Sequence, residues 1–567
     1  MPVSKRLLQQ TRSLLNTETG TVYKQHGGKV RVCLIYPNTY YVGMSNLGFR
    51  LVYSILNARS DVVCERAFLP SQETIVELLR TRTPLYGMES ITPVSGFDIV
   101  GFSVSFENDY PNLLKILRLS RLPVYAKDRD HRAPLVIMGG PCALLNPEPL
   151  SEFIDVVFIG EAEAMLDGFI DVYRASAGRD ELFDNLRGFS GIYVPSRYVV
   201  HYNDDGRISK RVVTSAGYPD VIRRSYVKDL NTLTVTGQII TPQTEFSSMY
   251  LVEAMRGCPW GCRFCAVRSI YGPPRKKGLE TVTQQVDRSR QCGGRVGLIG
   301  ASLTDYPHIK DVLTLEGVEF SITSLRASRR SVELLSLMRN KNSVSLAPET
   351  GSERLRRLIN KQITRQDIIE TATLIFNTGI STLRLYFMLG LPTETDDDVL
   401  ETVELVKTLR GLTRRTNIVM SISVFVPKPQ TPFQWHPMVT AQTVKHRLRL
   451  IKDALKADNV KVFHDIARHA YLEGLLAVGD RRLCRVLEFM GEGSDWRKAC
   501  QRAELSVDFY IHRQKDPADP LPWDFIDCGT GRDRLLAEYE EGREEKRMGD
   551  FVPPQTPLQG STAPLTP

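Results

Sequence analysis

Met255-Arg-Gly-Cys-Pro-Trp-Gly-Cys-Arg-Phe-Cys-Ala266 sets Cys258, Cys262 and Cys265 in a Cys-x3-Cys-x2-Cys spacing, directly after Ser248-Met-Tyr-Leu-Val-Glu-Ala254, which reads as a strand. Thiolate is a soft ligand suited to zinc or to iron–sulfur clusters. Structural zinc closes with four ligands, and this segment offers three cysteines and no histidine. The set therefore reads as an iron–sulfur site one ligand short, and the open position is where chemistry can occur. Cys292, in Gln291-Cys-Gly-Gly294 after a helical stretch, is the lesser alternative of a fourth thiolate.

Beyond the cysteines the chain repeats one plan, a strand that ends in a polar or glycine-bearing turn. Val296 to Asp305, Val344-Ser-Leu-Ala-Pro-Glu-Thr-Gly-Ser352 and Thr382 to Glu394 each follow it, and Val419-Met-Ser-Ile-Ser-Val-Phe425 leads into Val426-Pro-Lys-Pro-Gln-Thr-Pro-Phe-Gln-Trp435. The last strand closes a partial (β/α)6 barrel, and the proline-rich extension crosses its mouth as a rigid loop. Sites in such barrels gather at the carboxyl ends of strands, where all these segments terminate. Ser352 reads as the cap of the helix beginning at Glu353. Phe433 and Trp435 seal the rim or meet substrate, and His436 beside them reads as structural.

The cysteine spacing, with Phe264 before the last cysteine, resembles the radical S-adenosylmethionine (SAM) signature. The resemblance implies that Cys258, Cys262 and Cys265 bind three irons of a [4Fe-4S] cluster, while the amine and carboxylate of SAM chelate the fourth. Electron transfer then cleaves SAM to methionine and a 5′-deoxyadenosyl radical, so an electron donor such as flavodoxin or ferredoxin is implied too. Many members carry Gly-Gly-Glu where this chain has Gly300-Ala-Ser302, which leaves Ser302, Thr304 or the carbonyls of Gly300 and Ala301 to meet the SAM amine, with Asp305 as a helper. Glu349 would face the SAM ribose or methionine, or only fix its turn, with Ser345 nearby. Arg384 would pair with the SAM carboxylate or with Glu349, and the strand ending at Gly390 would support the adenosine.

Upstream, Val30 to Tyr36, Phe97 to Val104, Leu135 to Met138 and Val156 to Ile159 are short apolar strands separated by helical stretches, which argues for a doubly wound parallel sheet. Ligands of such sheets bind beyond the strand ends. Those ends resemble the cobalamin-binding domain that precedes many radical-SAM enzymes. The resemblance implies a corrin enclosed by Tyr41, Gly43, Met44, Asn46, Ser103, Ser105, Gly139, Gly140, Gly160 and Glu161. Many such domains have Asp-x-His-x-x-Gly after the first strand, with the histidine as lower cobalt ligand. Here Gly43-Met-Ser-Asn-Leu-Gly48 has no histidine, and either cobalamin binds without that ligand or the domain has lost it.

The 567 residues are too many for one core and divide into several regions. These are an extension (1–28), the cobalamin-binding-like α/β domain (29–180), a connecting region (181–245), the radical-SAM partial barrel (246–438), a mainly helical carboxy-terminal domain (439–545) and a polar tail (546–567) read as disordered. In the helical region His464 and Asp465 share a segment with Arg468, and Trp523 and Phe525 in Pro520 to Ile526 read as a docking segment. No apolar run is long enough for a membrane span and the start lacks a secretory-signal core, so a cytoplasmic protein is expected. The ten scattered cysteines fit a reducing compartment better than a disulfide framework. A formal charge of +8 leaves nucleic acid neither favoured nor excluded as partner. The reading is a radical-SAM enzyme, a cobalamin-dependent methyltransferase at an unactivated carbon of a small or macromolecular substrate. The alternatives are a cobalamin-independent rearrangement, oxidation or sulfur insertion, and a non-catalytic metal scaffold.

Overall fold

The computed structural model describes residues 3–233, 238–322, 325–338 and 342–543. The tail expected at 546–567 and most of the strand-like run at 233–236 lie outside the described residues. Apolar runs near the amino terminus become β1 (Val30–Tyr36), β2 (Val62–Phe68), β3 (Ile99–Ser103), β4 (Leu135–Gly139) and β5 (Val156–Phe158). They pair in parallel in the order β2-β1-β3-β4-β5. The order reverses beside β1, which opens a crevice at the carboxyl ends of β1 and β3.

A sixth strand, β6 (Ile192–Tyr193), joins antiparallel to β5. The sheet is therefore mixed rather than purely parallel, and a two-residue strand is too short to betray itself by pattern. β2 is buried along its whole length although it carries Glu65 and Arg66. The Arg66 guanidinium is neutralised by Glu18 at 2.7 Å and Glu89 at 2.7 Å, so the amino-terminal extension is pinned to the sheet by a buried ion triad.

A hairpin of β7 (Tyr198–Tyr202) and β8 (Ile208–Val213) follows, and β9 (Ile222–Arg223) leads toward the barrel. There β10 (Tyr250–Glu253) runs into β11 (Met255–Arg256), which pairs antiparallel with β12 (Arg275–Lys276) on the far side of the cysteine loop. The barrel strands proper continue with β13 (Arg295–Ile299), β14 (Glu319–Ser321), β15 (Ser343–Glu349), β16 (Thr382–Leu389) and β17 (Asn417–Val424). β10, β13 and β14 form one parallel sheet, and β15 to β17 belong to another. A parallel bridge from Leu325 to Leu346 carries one sheet on to the next.

Along β16 the residues alternate strictly. Leu383, Leu385, Phe387 and Leu389 are buried in a core shared with the surrounding helices, while Arg384, Tyr386 and Met388 face the opposite side, the lumen. A further strand, β18 (Lys461–His464), adds to β17 in parallel. The sequence from His464 to Gly474 reads as helical, but His464 still belongs to the strand and the helix begins only at Ala467. Among the described residues β10 and β18 do not pair, so the barrel stays open along that side.

The carboxy-terminal helices return to the first domain, and the last strand, β19 (Ile526–Asp527), pairs with β9. Just before it, Trp523 is buried and donates its indole N–H to Gln434 Oε1 at 2.7 Å, as a docking segment should. Among the described residues no helix is long and apolar enough to cross a membrane.

Candidate functional site

Six cysteines are fully buried, whereas Cys258, Cys262, Cys265 and Cys292 are half-buried. Cys292 packs against the helix-side core of the barrel. The other three share one loop whose shape is fixed from several sides. The Cys265 N–H bonds the Cys262 carbonyl at 3.1 Å, and Asn360 donates to the Gly261 carbonyl at 2.9 Å. Arg263 reaches the Leu358 carbonyl at 2.8 Å and Glu541 at 2.9 Å, and Arg268 reaches Glu538 at 2.9 Å. The final helix, Arg532–Arg543, thus clamps the outside of the loop.

Trp260 lies between the first two cysteines, donates to Asp305 Oδ2 at 2.7 Å and is covered by the Arg326 guanidinium at 3.5 Å from the ring centroid. Burial raises all three thiol pKa values, that of Cys265 to about 11, while the Lys361 ammonium pulls each of them down. Arg326 does the same for Cys258 and Cys262. These cations would offset the negative charge of the thiolates, whose protons are released to solvent when a metal binds. Among the described residues no three His, Cys, Asp or Glu side chains stand close enough to hold a single ion. The donor set nevertheless fits a cluster: three soft ligands on one ordered loop, half-buried, with two cations acting on them.

The strand ends surround this loop. Gly300 and Ala301 border the adjoining cavity, Thr304 is buried in its turn, and Ser302 donates its hydroxyl to Asp305 Oδ2 at 2.6 Å. Asp305 thereby ties the end of β13 to Trp260. Glu349 ends β15 with φ +67°, a conformation costly for a residue with a side chain, which marks a locally imposed geometry. Its carboxylate pairs with Lys361 at 2.8 Å and not with Arg384. Arg384 sits opposite Ser345, and the irregularity between Leu346 and Glu349 turns the acid away from it. Arg384 is therefore no structural partner of Glu349.

Ser352 occupies the capping position but makes no cap bond. Its hydroxyl instead goes to Asp398 Oδ1 at 2.6 Å, and Asp398 also closes the capping box of the helix Asp396–Gly411. Gly390 donates its N–H to Glu394 Oε2 at 2.7 Å, and burial raises the Glu394 pKa to about 7 despite Arg447 at 2.6 Å. Phe264 packs against the larger core, and Phe433 and Trp435 are buried, which is the rim-sealing role. Burial, with Arg543 and Lys515 adding to it, lowers the His436 pKa to about 4, so this histidine is neutral at physiological pH.

A cavity of about 550 Å³ lies between the barrel mouth and the carboxyl ends of the first sheet. From the sheet come Asn46, Ser103, Ser105, Gly139, Gly140, Gly160 and Glu161, and from the barrel Glu253, Met255, Arg256, Gly300 and Ala301. Gly140 has φ +106°, and a Cβ there would stand 2.6 Å from the Val104 carbonyl oxygen, so the wall is built from bare backbone. Asn46 caps the helix Leu47–Ala58 through Phe49 N–H at 2.9 Å and donates to Ser105 Oγ at 3.2 Å. Among the described residues no histidine lines the cavity.

Tyr41, Gly43 and Met44 do not border it. Tyr41 is exposed, Met44 is buried with its sulfur 3.4 Å from an Arg66 nitrogen, and Gly43 lets the Phe68 ring approach to 2.6 Å of where a Cβ would be. The sequence grouped these residues with Asn46, but the short helix Tyr40–Ser45 that carries them keeps them out of the cavity lining.

Glu161 has a role that sequence reasoning missed. Its carboxylate binds Arg275 at 2.6 Å and 2.9 Å and Arg256 at 2.9 Å. Arg256 also meets Glu163 and Glu253, each at 2.8 Å. The acid beyond β5 is thus joined to the arginine two residues before Cys258, and these charged groups form part of the cavity wall. The only sequence signal is an arginine on each arm of the β11–β12 pair. Lys361, at the foot of the helix Glu353–Leu358, gave none.

Comparisons with known proteins agree with this arrangement. Residues 252–406 match the family model described as Radical SAM superfamily, and residues 48–195 match Radical SAM proteins, N-terminal. An uncharacterized protein, MJ0966, of Methanocaldococcus jannaschii is 29% identical over 493 residues, covering 86% of this chain and 96% of that protein. Threonylcarbamoyladenosine tRNA methylthiotransferase MtaB of Aquifex aeolicus is 23% identical over 356 residues, covering 59% of this chain and 74% of that one. Among solved structures, the radical S-adenosylmethionine methyltransferase TsrM from Kitasatospora setae, solved with cobalamin and a [4Fe-4S] cluster, matches with a TM-score of 0.50 at 12% identity. That match covers 84% of this chain and 99% of TsrM, a likeness of fold.

Proposed function

We propose that this chain, an enzyme of the radical SAM superfamily, holds a [4Fe-4S] cluster on Cys258, Cys262 and Cys265 and a corrin in the cavity beyond it, and transfers a methyl group to an unactivated carbon. The observation that carries the reading is the single chamber of about 550 Å³ bordered by both the barrel mouth and the glycine-rich ends of the first sheet. A cluster in this position supplies the electron that cleaves SAM, and a corrin supplies a methyl carrier. The chain's own part is to hold and orient. Trp260 and Asp305 steady the cysteine loop, Lys361 and Arg326 balance its charge, and Glu349 and Ser345 flank the SAM site. The backbone at Gly139, Gly140 and Gly160 allows a large flat ligand to lie close, with Ser103 and Ser105 as polar contacts. Among the described residues no histidine lines the chamber, so backbone and these serines are the groups that would hold the corrin.

That same missing histidine favours a second reading, a radical reaction without corrin. Anaerobic reconstitution with iron, sulfide and cobalamin tests both. The proposal expects near-stoichiometric corrin after gel filtration and 5′-deoxyadenosine on adding SAM and a strong reductant. Deoxyadenosine without retained corrin would leave the second reading, and neither would leave a metal scaffold.

A further inference from the structure

The lumen face of the half barrel carries two unusual rungs at its open side. Strand register sets Tyr386, Ser421 and Phe463 side by side on β16, β17 and β18, and below them Arg384, Val419 and Lys461. Their neighbours Leu385, Met420 and Val462 turn to the helix-side core, so these six side chains stand on the lumen face. Tyr386 and Phe463 are 42% and 58% exposed, although aromatic residues on a barrel strand ordinarily bury against something. Arg384 and Lys461 pair with no carboxylate among the described residues.

The spacing is that of a clamp. Two strands apart, the backbones under Tyr386 and Phe463 are about 9.6 Å from each other, with only a serine between. A flat ring gripped on both faces needs about 7 Å between the gripping groups. The cationic rung lies two residues lower on each strand, about 7 Å away. We propose that this clamp takes the reacting substrate, and that the substrate is a planar aromatic ring bearing an anionic group about 7 Å from the ring. The ring stacks between Tyr386 and Phe463 over the Ser421 hydroxyl, and the anion meets Arg384 and Lys461. A nucleotide and an aromatic carboxylate share this chemistry. The inference rests on the radical-SAM reading above, which puts the reaction at this barrel's mouth.

Titration of the reconstituted full chain tests it, with the four 5′-mononucleotides as one arm and indole-3-acetate as the other, and free nucleosides and indole as uncharged controls. Phe463→Leu and Lys461→Gln alter exposed side chains. One arm is expected to bind, at least tenfold more weakly to each variant, with the uncharged control insensitive to Lys461→Gln. Both variants should bind SAM itself as the native chain does. Failure of both arms to bind the native chain, or equal binding by the variants, overturns the clamp. Weakened binding of SAM by the variants also overturns it, since the rungs would then serve SAM. A native chain that binds a ring-bearing anion through Phe463 but never cleaves SAM would refute the proposed function and leave the clamp standing.

Discussion

The two walls of the central chamber are made by opposite means. The sheet side presents backbone and small side chains, with Gly140 held at φ +106° and Ser103 and Ser105 beside it. The barrel side presents charged side chains, Glu253 and Arg256, with the strand end at Gly300 and Ala301, and next to it, outside the lining, stand the three thiols, the Glu349–Lys361 pair and the Trp260–Asp305–Arg326 stack. Under the proposed function the first would hold its ligand by shape and the second by charge and ligation. Between them stands the joint of Glu161, Arg256 and Arg275, which belongs to both.

Mutations should separate the walls. The largest effect is expected on the barrel side. Cys258→Ala, Cys262→Ala or Cys265→Ala should abolish SAM cleavage and most cluster iron, while Cys292→Ala keeps both, read by iron content and deoxyadenosine yield. Next is the sheet side. Gly140→Ala forces a methyl group toward the Val104 carbonyl and should weaken corrin retention more than tenfold with cluster content unchanged. Equal loss of both cofactors would mean that the walls are not independent.

A smaller, different effect is expected at the joint. Glu161→Gln keeps the shape but removes the charge that faces Arg256 and Arg275. Arg256 retains Glu163 and Glu253, so both cofactors should still load, while product formation falls about tenfold and the melting temperature drops by several degrees.

The smallest functional effect is expected behind the barrel rim. Lys515 is buried, bonds only the Tyr510 carbonyl at 2.9 Å through its ammonium, and has its pKa lowered by burial to about 7. As pH falls from the ordinary 10.5 toward 7, the unfolded chain takes up the proton before the folded one, so stability is lost over that window. Lys515→Met should therefore raise the melting temperature progressively as pH falls through that range, and no further below it, with SAM cleavage unchanged.

What could be read from the sequence follows the same division. The cysteine loop and the strands that end near it were legible because ligand spacing and apolar runs are local signals. The glycines at 139, 140 and 160 were legible for the same reason. Glu161 was assigned to the ligand, yet its partners lie at 256 and 275, and no periodicity links residues so far apart. β18 escaped because four residues beside a long helix carry too little alternation. Lys361 escaped because a lysine after a helix ordinarily points to water. The fold family was thus within reach of local pattern, whereas the charge balance around the thiols and the joint between the walls exist only in three dimensions.

The central proposal is that a corrin would lie in the chamber next to the cysteine loop. Electron paramagnetic resonance of the reduced cluster, recorded with the corrin site empty and then filled with paramagnetic cob(II)alamin, tests it most directly. That placement predicts a cluster signal broadened and relaxing faster when the corrin is present, and a weaker effect in Gly140→Ala in proportion to its lost corrin. A cluster signal unchanged at full corrin occupancy would contradict the claim.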